Sequence, residues 1–307
     1  RFINYFINNI VIKMNNRPAI NIVAHAPIHS VISNSNMENV ISNEGINNCI
    51  VNQGIAKIEV KKEVRNIKVN EEVQKMIVKE DIEKMEVKKG VKKMIVKEEV
   101  QKIMINEEVQ KIMINEGVQK MMVNEEVQKM MINEEVQNIV VKKGVEKMEM
   151  KEDVKKLVIN EDVQKMLVRE GIQHLKVNKG MKQIIVNEEV ENLKVNEEVQ
   201  KMLVKKGVDN LNVKEEIQNM VVNEGIQKLK IKEGVEKITV KEQIQKMNVK
   251  EAIGQIVVKK DVEKVSTHGN IGNINIKGDA DKIVIKGKIK QLIIPPNNNN
   301  NQVPQSK

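Results

Sequence analysis

The chain has 307 residues and a net charge of +9, from 52 Lys and Arg interleaved with 43 Asp and Glu. With one Tyr, two Phe, no Trp and one cysteine, it lacks the stacking platforms and clustered cations of a nucleic-acid binder and cannot carry an intramolecular disulfide framework. No nucleic-acid partner is therefore expected, and the fold must be held by an apolar core.

Residues 1–18, RFINYFINNIVIKMNNRP, hold all three aromatics and do not follow the pattern of the rest. The apolar stretch from Phe2 to Ile12 is broken by Asn4, Asn8 and Asn9 and is too short to span a bilayer, so no membrane span is expected. An N-terminal irregular or capping segment is the preferred reading, and a truncated signal or anchor segment is the other. The chain begins at Arg1, which leaves open a fragment or a native start at Met14. The compartment stays open, with the cell interior slightly favoured because no complete signal peptide is read.

Residues 19–294 form an array. From Ile28 to Lys288 a nine-residue unit repeats 29 times without insertion or deletion, in the form V-Q-K-M-x-V-N-E-E, as in Val73 to Asp81 and Val127 to Glu135. Positions one, four and six are apolar, the exceptions being Ser33, Ser42 and Thr267. At about 100° per residue these positions and the next repeat would put apolar side chains all round a helix. In extended structure positions four and six share one face, and Val or Ile at six suits a pleated surface. Nine residues bury nothing alone, so the repeats must wind into coils that stack as parallel strands. The fold class is all-β, a parallel β-solenoid of about 30 repeats and a rod-like body. Asn at seven and Gly at nine are residue types that tolerate positive φ, which places the corner at positions seven to nine.

Two signals bear on coil size. Gly90, Gly117, Gly144 and Gly171 are spaced by 27, as are Gly180, Gly207 and Gly234, which favours three repeats per coil. The alternation at position five of Lys176, Ile185, Lys194, Leu203, Asn212, Val221 and Lys230 favours the alternative of two. The glycine spacing is taken as the stronger.

After Ile294 the run PPNNNNNQVPQSK offers no apolar content, and its prolines cannot donate to a ladder, so residues 295–307 are expected to be disordered. The fragment VxxMxVxxE has the spacing of a leucine-rich-repeat strand, but those repeats are longer and carry a convex segment that is missing here. The closing repeats, GNIGNINIKGDADKIVIKGKI (Gly269 to Ile289), resemble the Gly-punctuated strands of β-helical adhesins and of bactofilin-type filament proteins. The resemblance covers about a tenth of the chain and implies architecture only.

Candidate chemistry is sparse. His25 and His29 are separated by Pro27 and share no helix face, so they do not form a metal pair; His174 and His268 fall at outward and corner positions. Cys49 stands at apolar position four, as a small buried side chain. Glu at position eight recurs too regularly for one catalytic site, and the unit places Lys or Asn where calcium-binding nonapeptides need Gly and Asp. No catalytic, cofactor or metal residues are assigned, and no enzyme is expected. Gln at position two, in Gln101, Gln110, Gln119 and Gln128, is expected to form amide ladders between coils.

Position five should face solvent, yet Ile95, Met104, Met113, Met122, Met131 and Val140 make it apolar in six successive repeats. These six are the candidate association face. The function read from the sequence is structural or scaffolding, with self-association or another protein as partner. The alternative is a surface adhesin or fibre-like binding module.

Overall fold

The computed structural model describes residues 2–3, 9–12, 20–34, 36–232, 234–251, 253–268 and 270–295. Every regular element among them is a β-strand. The expected disorder of the tail concerns residues of which 296–307 lie outside the described set, as do residues 13–19 of the N-terminal region. The chain divides into two compact units, residues 1–182 and 183–307.

In the first unit, strands of six residues begin every nine residues, at positions one to six of each repeat. Alternate strands fall in different sheets. Met37–Ser42, Ile55–Val60, Val73–Val78, Val91–Val96, Val109–Ile114, Val127–Ile132, Val145–Met150 and Val163–Val168 lie on one, called here the front sheet. Ile28–Ser33, Ile46–Val51, Val64–Val69, Ile82–Val87, Val100–Ile105, Val118–Val123, Val136–Val141, Val154–Ile159 and Ile172–Val177 lie on the back sheet. The short strands Phe2–Ile3 and Asn9–Ile12 pair in parallel with Ile20–Ala24 and Ile28–Ser33 respectively.

From Ile28 onward the described strands pair in parallel and in register at an offset of 18 residues, as in Val73↔Val91 on the front sheet and Val64↔Ile82 on the back. A coil therefore holds two repeats. This corrects the preference for three, whose strands would pair residues 27 apart. The cause lies in the glycines used as the guide. A step of 27 is an odd number of repeats, so Gly90 and Gly144 fall at the corner after back strands, while Gly117 and Gly171 fall at the corner after front strands. Their spacing marks no structural period, whereas the alternation at position five does.

The expected role of glycine at position nine also needs revision. Gly234 is the one glycine among the described residues with positive φ, at 24°. At Gly90 the constraint is proximity instead: a Cβ there would sit 2.9 Å from the carbonyl oxygen of Glu108 in the next coil. Such contacts arise because the backbone ladder continues through the corners. The position-one amide of Val91 donates to the position-nine carbonyl of Glu108 at 3.1 Å, and the position-seven amide of Lys97 donates to the carbonyl of Val78 at 3.0 Å. The ladder thus runs on through both ends of each corner, in keeping with an array free of insertions and deletions.

Each coil sends positions one, four and six of both strands inward. In one coil Val73, Met76 and Val78 meet Ile82, Met85 and Val87, and all six are completely buried. Each such side chain contributes roughly 1.5–3 kcal/mol on burial. Position four carries the long Met, Ile and Leu side chains that fill the middle, while one and six carry mostly Val and Ile. Cys49 takes this middle position and is fully buried, and burial pushes its thiol up to about 12. Ser33 and Ser42 are buried at position six, where the Ser42 hydroxyl donates to the Glu44 carbonyl at 2.8 Å.

The second unit repeats this plan. Val199–Val204, Ile217–Val222, Val235–Val240, Ile253–Val258, Ile271–Ile276 and Ile289–Ile293 pair in one parallel sheet. Val190–Val195, Val208–Val213, Ile226–Ile231, Ile244–Val249, Val262–Thr267 and Ala280–Ile285 pair in the other. No helix among the described residues is long and apolar enough to cross a membrane.

Candidate functional site

Stacking turns every outward position into a row running from coil to coil. The six residues of the candidate association face are divided between two such rows. Ile95, Met113 and Met131 lie in register on the front sheet and are joined by Ile77. Met104, Met122 and Val140 lie in register on the back sheet and are joined by Val158. The contiguous zone of the sequence is therefore two separate stripes, because a two-repeat coil sends successive repeats to different sheets. All eight side chains are half-buried.

Charged residues bound each stripe. Glu59 precedes Ile77 and Glu149 follows Met131 on the front sheet; Glu86 precedes Met104 and Lys176 follows Val158 on the back. Glu149 is 92% shielded, with 8% of its surface exposed, and accepts a hydrogen bond from Arg169 at 2.8 Å. At the other end Lys57 lies 2.7 Å from Glu59, and its hydrogen bond holds the carboxyl below the ordinary range.

The second unit has a sidedness of its own. Leu203, Val221, Thr239 and Val257 form the position-five row of one sheet. On the other sheet the row reads Lys194, Asn212, Lys230 and Asn248. The alternation was visible in the sequence as a clue to coil size, and here it also makes one sheet the more apolar. A further apolar surface was missed. Ile285, Leu292 and Ile293 are 40%, 39% and 45% exposed, on the last two described strands, whose inward side chains have no described coil above them.

Amide ladders are present, but not where glutamine was expected to build them. Gln119 donates to Glu99 at 2.9 Å and Gln128 to Glu108 at 3.4 Å, reaching a carboxylate at the corner of the preceding coil. Asparagine makes the ladders instead. At position seven Asn52 donates to Asn34 at 2.6 Å and Asn70 to Asn52 at 2.5 Å; Asn124 donates to Asn106 and Asn133 to Asn115 in the same way. The short side chain cannot stray from its own coil level, whereas glutamine has the reach to find a charge. Three of these ladders end on an orphan acceptor. The Oδ1 atoms of Asn70, Asn124 and Asn133 are buried without a donor, and in each case the next coil has Lys in place of Asn, at Lys88, Lys142 and Lys151.

At position eight, lysines pair with the glutamate one coil back. Lys89 lies 2.6 Å from Glu71 and Lys143 2.5 Å from Glu125, and these hydrogen bonds raise the pKa of both lysines above the ordinary value. Two of the four histidines contact asparagines one coil on, His25 with Asn43 at 2.7 Å and His29 with Asn47 at 3.2 Å. Among the described residues no group of three or more His, Cys, Asp or Glu side chains converges as a metal site would require. The arrangement supplies rows of like groups at a fixed pitch, a geometry suited to extended contact. No protein-family model, curated protein or solved structure matches the chain.

Proposed function

We propose that the chain is a non-enzymatic structural or scaffolding repeat protein that acts by associating with itself through its outward apolar rows. The observation that carries this reading is the position-five stripe of the first unit. Four in-register apolar side chains stand at an outward strand position on each sheet, bounded by charged residues at both ends. Contiguous apolar surface rimmed by polar groups marks an interaction site. Periodicity also favours a structural role over a chemical one, since rows of equivalent groups give repeated weak contacts and no unique reacting centre.

Sedimentation velocity over a wide concentration range, with electron microscopy of the same samples, tests the proposal. Concentration-dependent oligomers or filaments are expected. A monomer at every concentration would remove self-association as the mode of action.

A further inference from the structure

Two uninterrupted rows of opposite charge run through the same six repeats of the first unit. Position three of the front strands supplies Lys75, Lys93, Lys111, Lys129, Lys147 and Lys165, each in direct register with the next. Position eight, at the corner after each of these strands, supplies Glu80, Glu98, Glu116, Glu134, Glu152 and Glu170, all exposed. None of the twelve forms an ion pair with another described residue. Neighbours within each row are separated by about one strand spacing, ~4.8 Å, so each row repels itself along its length.

The back corner handles the same problem differently. There position eight reads Glu71, Lys89, Glu107, Glu125, Lys143 and Glu161, and Lys89 and Lys143 pair within the chain. Only the front corner keeps glutamate at position eight in all six repeats, with none of the six ion-paired to another described residue. Between the front lysine and glutamate rows lies the apolar stripe Ile77, Ile95, Met113 and Met131, with Asn115 and Asn133 at position seven beside the two methionines. Of the cations at position seven, Lys79 and Arg169 already pair with Glu59 and Glu149, which leaves Lys97 and Lys151 beside the glutamate row.

We infer that this front face binds the front face of a second copy of the chain, with the coils of both copies stacking in the same direction. The lysine row of each then lies against the glutamate row of the other, and the apolar stripes meet between them. The partner is identified by pitch and charge. A surface that matches six lysines and six glutamates without drifting out of step needs the same coil spacing and the opposite order of charges, and this face supplies both when turned about an axis parallel to the stacking direction. A two-fold axis across that direction would set lysine against lysine, so charge selects the parallel arrangement. The inference rests on the self-association proposed above and adds the face, the partner and the orientation.

Two charge-reversed proteins test it. One carries Lys93→Glu, Lys111→Glu, Lys129→Glu and Lys147→Glu; the other carries Glu98→Lys, Glu116→Lys, Glu134→Lys and Glu152→Lys. Each alone should self-associate at least about tenfold more weakly than the unaltered chain in sedimentation velocity. An equimolar mixture should regain association, and raising the salt should weaken it. Circular dichroism checks the fold of each. Should a reversed protein misfold, the milder Lys→Gln set at the same four positions, where Gln183 and Gln255 show that position three accepts glutamine, should still weaken association. Association unchanged in the reversed or neutral variants would overturn this face and leave self-association standing. A mixture that stays dissociated would overturn the row-against-row arrangement. A monomeric wild type would overturn both, and heparin binding by that monomer, lost on reversing the lysines, would assign the lysine row to a linear polyanion instead.

Discussion

Met113 and Met122 hold the same place in consecutive repeats and lie on different sheets, Met113 in register with Ile95 and Met131, Met122 with Met104 and Val140. Sequence neighbours one repeat apart are thus separated by the core, and residues two repeats apart touch. Every expectation about this protein's surface depends on that parity.

Deletions should reveal it. Removing Val118 to Glu135, one complete coil, should leave the fold and the composition of each row unchanged downstream of the cut. Removing the single repeat Val118 to Glu126 keeps positions one, four and six inward but sends every later strand to the opposite sheet, so the apolar and charged rows no longer line up. Removing Gln119 alone turns inward side chains outward and should damage folding most. Melting temperatures and sedimentation of the three proteins check the order.

The orphaned ladder ends can be filled. Lys142→Asn would give the buried Oδ1 of Asn124 a donor and link the Asn106–Asn124 pair to the Asn160–Asn178 pair. A gain of about 1 kcal/mol in unfolding free energy is expected by denaturant titration. Asn124→Ala should cost a similar amount, since it removes the hydrogen bond to Asn106 at 2.6 Å.

Adjacent methionines separate inside from outside. Met130 is completely buried and Met131 half-buried. Met130→Ala should cost roughly 2–5 kcal/mol through the cavity it leaves. Met131→Thr, a residue found at the same position in Thr239, should cost less than about 1 kcal/mol while reducing self-association. Equal losses in denaturant titrations would show that position five belongs to the core.

Acid should release one contact at the foot of the front stripe. The hydrogen bond from Lys57, with Lys79 3.6 Å away, holds the Glu59 carboxyl below its ordinary value of 4.5. A depressed folded value means that the contribution is present above the unfolded pKa and is lost as pH falls through the folded one. Glu59→Gln should therefore lower the melting temperature slightly near pH 7, by an amount worth less than about 1 kcal/mol for a half-buried pair at the surface. The difference should shrink as the pH falls below 4.5 and vanish once the folded carboxyl is itself protonated.

The core was legible because only an extended chain puts Val73, Met76 and Val78 on one side while leaving Ile77 on the other, and 29 copies make the pattern unmistakable. Coil size was legible in the position-five alternation but outweighed by the glycines at position nine, which answer to the approach of the next coil's carbonyl, a demand present at both corners. The association zone read as one patch because linear adjacency hides parity. Its true partners, such as Ile77 beside Ile95 and Val158 beside Val140, lie outside the run that drew notice. The ladders fall to asparagine and not to glutamine because only the shorter side chain stays at its own coil level, a difference of reach that residue type alone does not display. The exposure of Ile285 and Leu292 is not marked within their own repeats, which carry the same pattern as those buried below.

Spin-label proximity tests the two-repeat coil most directly. In a Cys49→Ser background, labels at Gln101→Cys and Gln119→Cys, 18 residues apart on exposed positions of adjacent back strands, should lie within about 10 Å and broaden the room-temperature electron paramagnetic resonance spectrum strongly. Labels at Gln101→Cys and Gln128→Cys, 27 apart, fall on different sheets with the core between them and should give the sum of the single-label spectra. Strong broadening in the 101/128 pair with none in the 101/119 pair would contradict the two-repeat coil and restore a three-sided one.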